Sequence, residues 1–374
     1  MDREEILGEK MDTLTDPKLE MGFALVGQRR IGKTSILREL ANRLGKRNDV
    51  VVIYLSVWDL VENNLLEFCQ KLSLTTVEVF KDRLSLKYKL ANLVKVPSHK
   101  IFEFLRNIDV KIRVLEDIEL SLSLRRKEPF EPNLLLEKTF MGIEKLAGEF
   151  KLRAILILDE FPSLMDLKND RKLGEGIIRK IRTIHEKLQY VILLVSGSIK
   201  KTMEIVALSS ASAFYRELIV REVTPFDKEI IGKLIEGNLG FPLKEEVVGK
   251  VFELTQGIPF YVQFIGKKLE GKRSQISTEV VEGIFEEFIQ EEGNYVFAAE
   301  FQTLSDKERL ISVEMAVKDL RTVSQISKSI NESPNTISQY LIYLTSKGVL
   351  EKRGKGYEFV DNGFREWLKT KYIQ

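Results

Sequence analysis

Five short runs in the first part of the chain are apolar without interruption: Phe23–Val26, Val50–Leu55, Ala154–Leu158, Val191–Val195 and Leu218–Val220. A strand with one wetted face alternates polar and apolar positions. Continuous runs therefore belong to strands buried on both faces, the habit of a parallel sheet covered by helices. Ser35–Leu44 and Leu173–Lys187 carry the 3.6-residue period of two such covering helices. The pattern predicts an α/β domain over residues 1–222. Within it, residues 61–149 form a long insertion that reads mostly as helix. Inside the insertion, Asp109–Leu124 alternates: Val110, Ile112 and Val114, a Glu116-Asp117 turn, then Ile118, Leu120, Leu122 and Leu124. That is the pattern of a β-hairpin with one apolar face, either a structural decoration or a partner-binding surface.

From Thr224 the strand signals stop. Asp227–Leu239, Leu243–Thr255 and Pro259–Leu269 have helical periodicity, punctuated by Gly240-Phe241-Pro242 and Gly257-Ile258-Pro259. They predict a small helical lid domain over residues 223–298. A third unit, residues 299–374, contains a short helix at Val323–Ile330, a turn at Asn331-Glu332-Ser333 and a second helix at Pro334–Lys347. Ser333 suits the cap and Pro334 the first turn. Two strands follow around a basic, Gly-containing tip within Val349–Val360. Helix, turn, helix and hairpin make a winged helix-turn-helix.

Composition narrows the field. The chain is 44% hydrophobic and 30% charged, has no run of roughly 18 apolar residues, and opens on a charged MDREEILGEK. Cys69 is the single cysteine and His99 and His185 are the only histidines, which excludes an intramolecular disulfide and makes a His/Cys zinc site implausible. These features predict a cytoplasmic protein with no membrane segment. With 58 basic and 56 acidic residues the net charge is +2, too small to hold nucleic acid by bulk charge.

Gly27-Gln28-Arg29-Arg30-Ile31-Gly32-Lys33-Thr34 matches the G-x-x-x-x-G-K-[ST] phosphate loop, between a buried run and a helix, with Ser35 following. The glycines let successive N–H groups converge on a phosphate, aided by the positive end of the helix. Lys33 reaches the β- and γ-phosphates, and the Thr34 hydroxyl binds Mg²⁺. Asp159-Glu160 ends the third apolar run, placing two carboxylates where open α/β sheets bind ligands. Asp159 is assigned to Mg²⁺ and Glu160 to polarising an attacking water. Ser196 and Ser198, after the fourth run, read equally as water-orienting or γ-phosphate-sensing groups and as a tight turn. Arg216, before the fifth run, reads equally as an arginine finger and as a surface ion-pair member. An N-K-x-D guanine-reading motif is absent, so ATP with Mg²⁺ is the expected ligand pair, ADP the product.

These residues resemble the archaeal ATPase family, a branch of the STAND class of P-loop NTPases related to AAA+ proteins. The resemblance rests on Arg3-Glu4, the G-x-R-R-x-G-K-T loop, Leu158-Asp159-Glu160-Phe161 and Gly257-Ile258-Pro259, and spans essentially the whole chain. It implies a further strand between the phosphate-loop strand and the acidic strand, with Glu160 as hydrolytic base. It also implies a helix starting at Pro259 that approaches the nucleotide, an arginine finger at Arg216 and a C-terminal winged helix. Ser196-Gly197-Ser198-Ile199 departs from the family's Gly-Ser at that place.

For the third unit, DNA contact and protein contact stand side by side. Asn335, Thr336, Ser338 and Gln339 can bond base edges, and Lys352, Arg353 and Lys355 can meet phosphates. Yet residues 299–374 carry 12 basic and 10 acidic side chains, nearly neutral. The sequence thus describes an ATP-driven switch that repositions a winged helix against DNA or a protein partner, with self-association open. The alternative is a nucleotide-gated DNA-binding regulator with negligible turnover.

Overall fold

The computed structural model describes residues 3, 4, 7, 8, 13, 14, 21–87, 122, 130–197, 214, 217–272 and 276–372. The predicted hairpin at Asp109–Leu124 lies outside them, except for Leu122. That residue is in helical conformation, where the alternation predicted a strand, and packs against the apolar core.

The five apolar runs become five strands: β1 (Gly22–Val26), β2 (Val50–Ser56), β3 (Arg153–Asp159), β4 (Val191–Gly197) and β5 (Leu218–Glu222). They pair in the order β2-β3-β4-β1-β5, all parallel. β4 therefore lies between the phosphate-loop strand β1 and the acidic strand β3, where the family resemblance places a further strand.

Because side chains alternate across a strand, each strand feeds two cores. Ala24, Ile53, Leu55, Leu156 and Leu158 face one side, under helices α2 (Leu65–Lys87), α3 (Pro132–Phe150) and α4 (Glu175–His185). Phe23, Leu25, Ile155, Ile157, Ile192 and Leu194 face the other, under α1 (Lys33–Leu44) through Ile36, Leu37, Leu40 and Leu44. Both faces are dry, which is why the runs are continuous.

Beyond β5 come α5 (Lys228–Leu239), α6 (Glu245–Thr255), α7 (Pro259–Leu269), α8 (Thr278–Glu291) and α9 (Gly293–Gln302). Then follow α10 (Asp306–Lys318), α11 (Val323–Ile330), α12 (Pro334–Ser346), the antiparallel pair β6 (Leu350–Arg353) and β7 (Gly356–Phe359), and α13 (Asn362–Tyr372). The α10 to β7 run has the order of a winged helix. Side-chain caps at Ser305, Thr322 and Ser333 start its three helices, the first two as capping boxes. The expected boundary at 298/299 falls inside α9, and one apolar core continues from Ile231 through Tyr261, Phe288 and Phe297 to Phe364 and Leu368. The lid helices and the terminal unit are packed as one body. No helix among the described residues is long and apolar enough to cross a membrane.

Candidate functional site

The phosphate loop runs from β1 into α1. Gly32 caps α1 with φ 91°, a left-handed conformation that lets the loop close without a Cβ penalty. Lys33 and Thr34 are the first residues of α1. The Lys33 amine, on a residue 5% exposed, donates to the carbonyls of Gly27 and Gln28, both at 2.9 Å. Burial pushes its pKa down to about 8, with Arg29 adding to the effect and Glu160 and Asp159 opposing it. An ammonium so placed is short of counter-charge, which a phosphate supplies.

Asp159 ends β3 and is 2% exposed. Its Oδ2 accepts from Thr34 Oγ1 at 2.8 Å and from the Tyr54 hydroxyl at 2.8 Å. Its Oδ1 accepts from Ser196 Oγ and from the Glu160 backbone N–H at 3.1 Å. Glu160 follows in left-handed conformation, φ 54° and ψ 43°. For a non-glycine residue that costs about 1–2 kcal/mol. The turn is held by its N–H, which also reaches Ser196 Oγ at 3.2 Å, and it brings Glu160 to the wall of the cleft.

That cleft has a volume of about 830 Å³, within the usual range for small-ligand sites. It is lined by Arg29 through Ile36, by Glu160, and by Arg3, Glu4, Trp58, Phe226, Pro259, Phe260 and Gln263. Lys33, Thr34, Glu160 and Pro259 thus share one space, with Asp159 beneath through its bond to Thr34. Gly27 and Gln28 contribute the carbonyls that hold Lys33. Ser196 is fully buried and clamps the acidic pair. Ser198 and Arg216 lie outside the described residues.

The Arg3-Glu4 box ties the start of the chain to this cleft. Arg3 donates to the Thr224 carbonyl at 2.7 Å and lies 5.1 Å from the Phe226 ring centroid, while Glu4 takes both terminal nitrogens of Arg43 at 2.7 Å. In the Gly-Ile-Pro motif, Gly257 has φ 74°, and an added Cβ would stand 2.0 Å from the Phe226 carbonyl oxygen. Only glycine lets the lid abut the segment that leaves the sheet, where Phe226 N–H bonds the Gly257 carbonyl at 2.8 Å.

Arg30 departs from the expectation for a phosphate-loop residue. It lines the cleft, but its guanidinium donates to Asp361 Oδ2 at 2.7 Å and to the Val296 carbonyl at 2.9 Å. It also stacks 4.8 Å from the Phe297 ring centroid. Glu300 Oε2 lies 3.4 Å from Arg29 and 3.5 Å from Arg30. Tyr261, buried in α7, donates to both Asp361 oxygens at 2.7 Å.

A hydroxyl and a buried carboxylate are hard oxygen donors of the kind Mg²⁺ takes alongside nucleotide phosphates, so the Thr34–Asp159 pair fits that ion. Of the proposed DNA contacts, Asn335, Gln339, Lys352, Arg353 and Lys355 are exposed. Thr336 donates its backbone N–H to the Ser333 cap of α12, Gln339 donates to the Tyr343 hydroxyl at 2.7 Å, and Arg353 is shared between Glu351 at 2.5 Å and Glu358 at 3.3 Å.

No family model and no curated protein matches the chain. Among solved structures it is similar to the Walker-type ATPase PABY2304 of Pyrococcus abyssi, with a TM-score of 0.66, 16% identity, and coverage of 98% of this chain and 95% of that one. It is also similar to the ORC2 protein of Aeropyrum pernix in its ADPNP–ADP complexes, with a TM-score of 0.54, 12% identity, and coverage of 100% and 94%. The chain shares the fold of these two proteins, a parallel sheet carrying a phosphate loop with helices on both faces. At these identities the likeness is one of fold. Sequence reasoning missed Tyr54 and the outward reach of Arg30. A hydroxyl within the otherwise aliphatic run Val50–Leu55 was the available signal for the first, and nothing local signalled the second.

Proposed function

We propose that the chain binds ATP with Mg²⁺ in this cleft, hydrolyses it slowly, and passes its nucleotide state to the C-terminal half. Arg30 carries the proposal. A residue of the loop that wraps phosphates is hydrogen-bonded to Asp361, at the start of the last helix. A change of loop backbone or local field therefore acts directly on a contact between the sheet domain and the C-terminal half. A nucleotide drives such a switch only by favouring one arrangement over the other, and the competition of phosphates for Arg29 and Arg30 provides that difference.

In this reading Lys33 leaves the Gly27 and Gln28 carbonyls to pair with β- and γ-phosphates. Thr34 and Asp159 hold the metal, which neutralises charge on the phosphate oxygens when bound. Glu160 accepts a proton from the attacking water, Ser196 keeps the acidic pair aligned, and Pro259 brings the lid to the nucleotide. Arg216 is proposed as the arginine that reaches the γ-phosphate. The C-terminal unit meets DNA or a protein. Ile342, 58% exposed, and Tyr343, 41% exposed, lie on α12 beside the polar candidates and favour a protein surface there.

The test is phosphate release from ATP by wild type, Lys33→Ala and Glu160→Gln, with amide exchange at residues 361–372 followed with and without nucleotide. Expected are release by wild type alone, ATP still bound by Glu160→Gln, and altered exchange on binding. Equal background release from all three proteins would remove hydrolysis from the proposal. Unchanged exchange with nucleotide bound would remove the switch.

A further inference from the structure

Tyr54 belongs to none of the motifs that mark the site, yet it touches the carboxylate at its centre. β2 and β3 pair with Tyr54 opposite Ile157 and Ser56 opposite Asp159. Register partners in a parallel pair share a face, and residues two apart on one strand share it too. Tyr54 therefore projects on the face of Ile157 and Asp159, under α1, and is long enough to reach diagonally to Asp159. Thr34 and Arg38 are four residues apart on α1, so they stand on the same side of that helix. Thr34 meets Asp159 Oδ2 at 2.8 Å, and the Arg38 charge lies near the Tyr54 side chain.

We propose that Tyr54 is a positioning residue for the metal half of the site: its hydroxyl locks the Asp159 carboxylate in the pose that a nucleotide-bound Mg²⁺ meets. The inference rests on the ATP·Mg²⁺ reading given above. The Asp159 carboxylate has only acceptors, so the single phenolic proton of Tyr54 is the donor between them. Ser196 and the Glu160 N–H fix Oδ1. Without Tyr54, Oδ2 keeps only Thr34, whose hydroxyl is itself assigned to the metal. The carboxylate then pivots about Oδ1, and the loss falls on metal affinity.

The experiment titrates Mg²⁺ into wild type and Tyr54→Phe, each with a fluorescent ATP analogue, and reads nucleotide binding rather than turnover. Phenylalanine keeps the ring and removes the hydroxyl alone. Expected are nucleotide affinity without Mg²⁺ within about twofold of wild type, and a Mg²⁺ requirement raised roughly tenfold, the usual scale for loss of an outer-shell partner. Tyr54→His, which keeps a ring N–H donor, should shift the titration the same way by less, and it serves as the test should Tyr54→Phe not fold. Superimposable Mg²⁺ titrations would overturn the positioning role, as would an equal loss with and without Mg²⁺, the mark of a merely structural tyrosine. Wild type that binds no nucleotide would overturn the ATP reading and this inference together.

Discussion

Asp159 takes its donors from the sheet and the helix behind it: Thr34, Tyr54, Ser196 and the next backbone N–H. Arg30, three residues before Lys33, takes Val296, Glu300 and Asp361, up to 331 residues away in sequence. The two halves of one cleft are thus built on different plans. The metal half is complete inside a single unit, with its acceptors matched before any ligand arrives, which is what electrostatic preorganisation asks for. The arginine half is shared with the C-terminal half, and in the proposed reading it is renegotiated when a phosphate enters. Chemistry is assigned to the rigid side and signalling to the shared side.

The strongest way to break this contrast is at Asp159. Asp159→Ala strands the buried Ser196 hydroxyl, while the Glu160 N–H keeps Ser196 Oγ at 3.2 Å. It should cost about 1–3 kcal/mol of stability, read by urea unfolding, because unpaired buried donors lose that much each. Mg²⁺-dependent nucleotide binding should vanish with it. A variant as stable as wild type and still responsive to Mg²⁺ would show that the metal half is not organised as described.

Asp361→Ala tests the other half. It removes the acceptor of the buried Tyr261 hydroxyl and the partner of Arg30, again for about 1–3 kcal/mol. It should lower ATP turnover less than tenfold, while nucleotide no longer alters amide exchange in α13. Turnover lost as completely as in Asp159→Ala would erase the distinction between the halves.

pH sharpens the comparison at the residue between them. A phosphate beside Lys33 raises its pKa, so binding takes up a proton wherever the free amine is neutral. ATP affinity should be flat below pH 8 and fall above it, by at most about tenfold per unit, in calorimetry at pH 7, 8 and 9. The free protein should run the other way. Its Lys33 pKa lies below the ordinary 10.5, so the unfolded chain binds the proton between pH 8 and 10.5 and Lys33 contributes rising stability across that window. Constant affinity from pH 7 to 9 contradicts the assignment of Lys33.

The smallest effect is expected at the wing. If duplex DNA is the partner, Lys352→Ala with Lys355→Ala should lower the slope of log affinity against log salt by about two. Arg353→Ala should change it less, its charge already being matched by Glu351 and Glu358. Wild type that does not bind mixed duplexes at low salt leaves protein as the partner.

The sheet was legible because both of its faces are dry, so each strand announced itself as an unbroken apolar run. The phosphate loop and Asp159-Glu160 were legible because phosphate and metal chemistry restrict residue types at short spacing. Tyr54 was not, because its partner lies on the neighbouring strand and only the β2–β3 register brings them together. Arg30 fitted the loop motif by position, but the direction of its side chain is decided by residues 296–361, far outside any local window. The 298/299 boundary was misplaced for a related reason: α9 buries Phe297 against both Phe288 of the lid and Phe364 of the last helix. Periodicity reports that a face is apolar and not which neighbour covers it.

That shared core has a consequence for how the protein comes apart. Tyr261 and Phe297 are roofed by α13, where a Cβ on Gly363 would already crowd both rings at 2.8 Å and 3.0 Å. A chain cut before residue 299 would leave the lid with its largest aromatic surface bare. The lid and the winged unit should therefore melt together as one cooperative block, and a deletion intended to isolate the nucleotide-binding part would yield an aggregating fragment rather than a minimal domain.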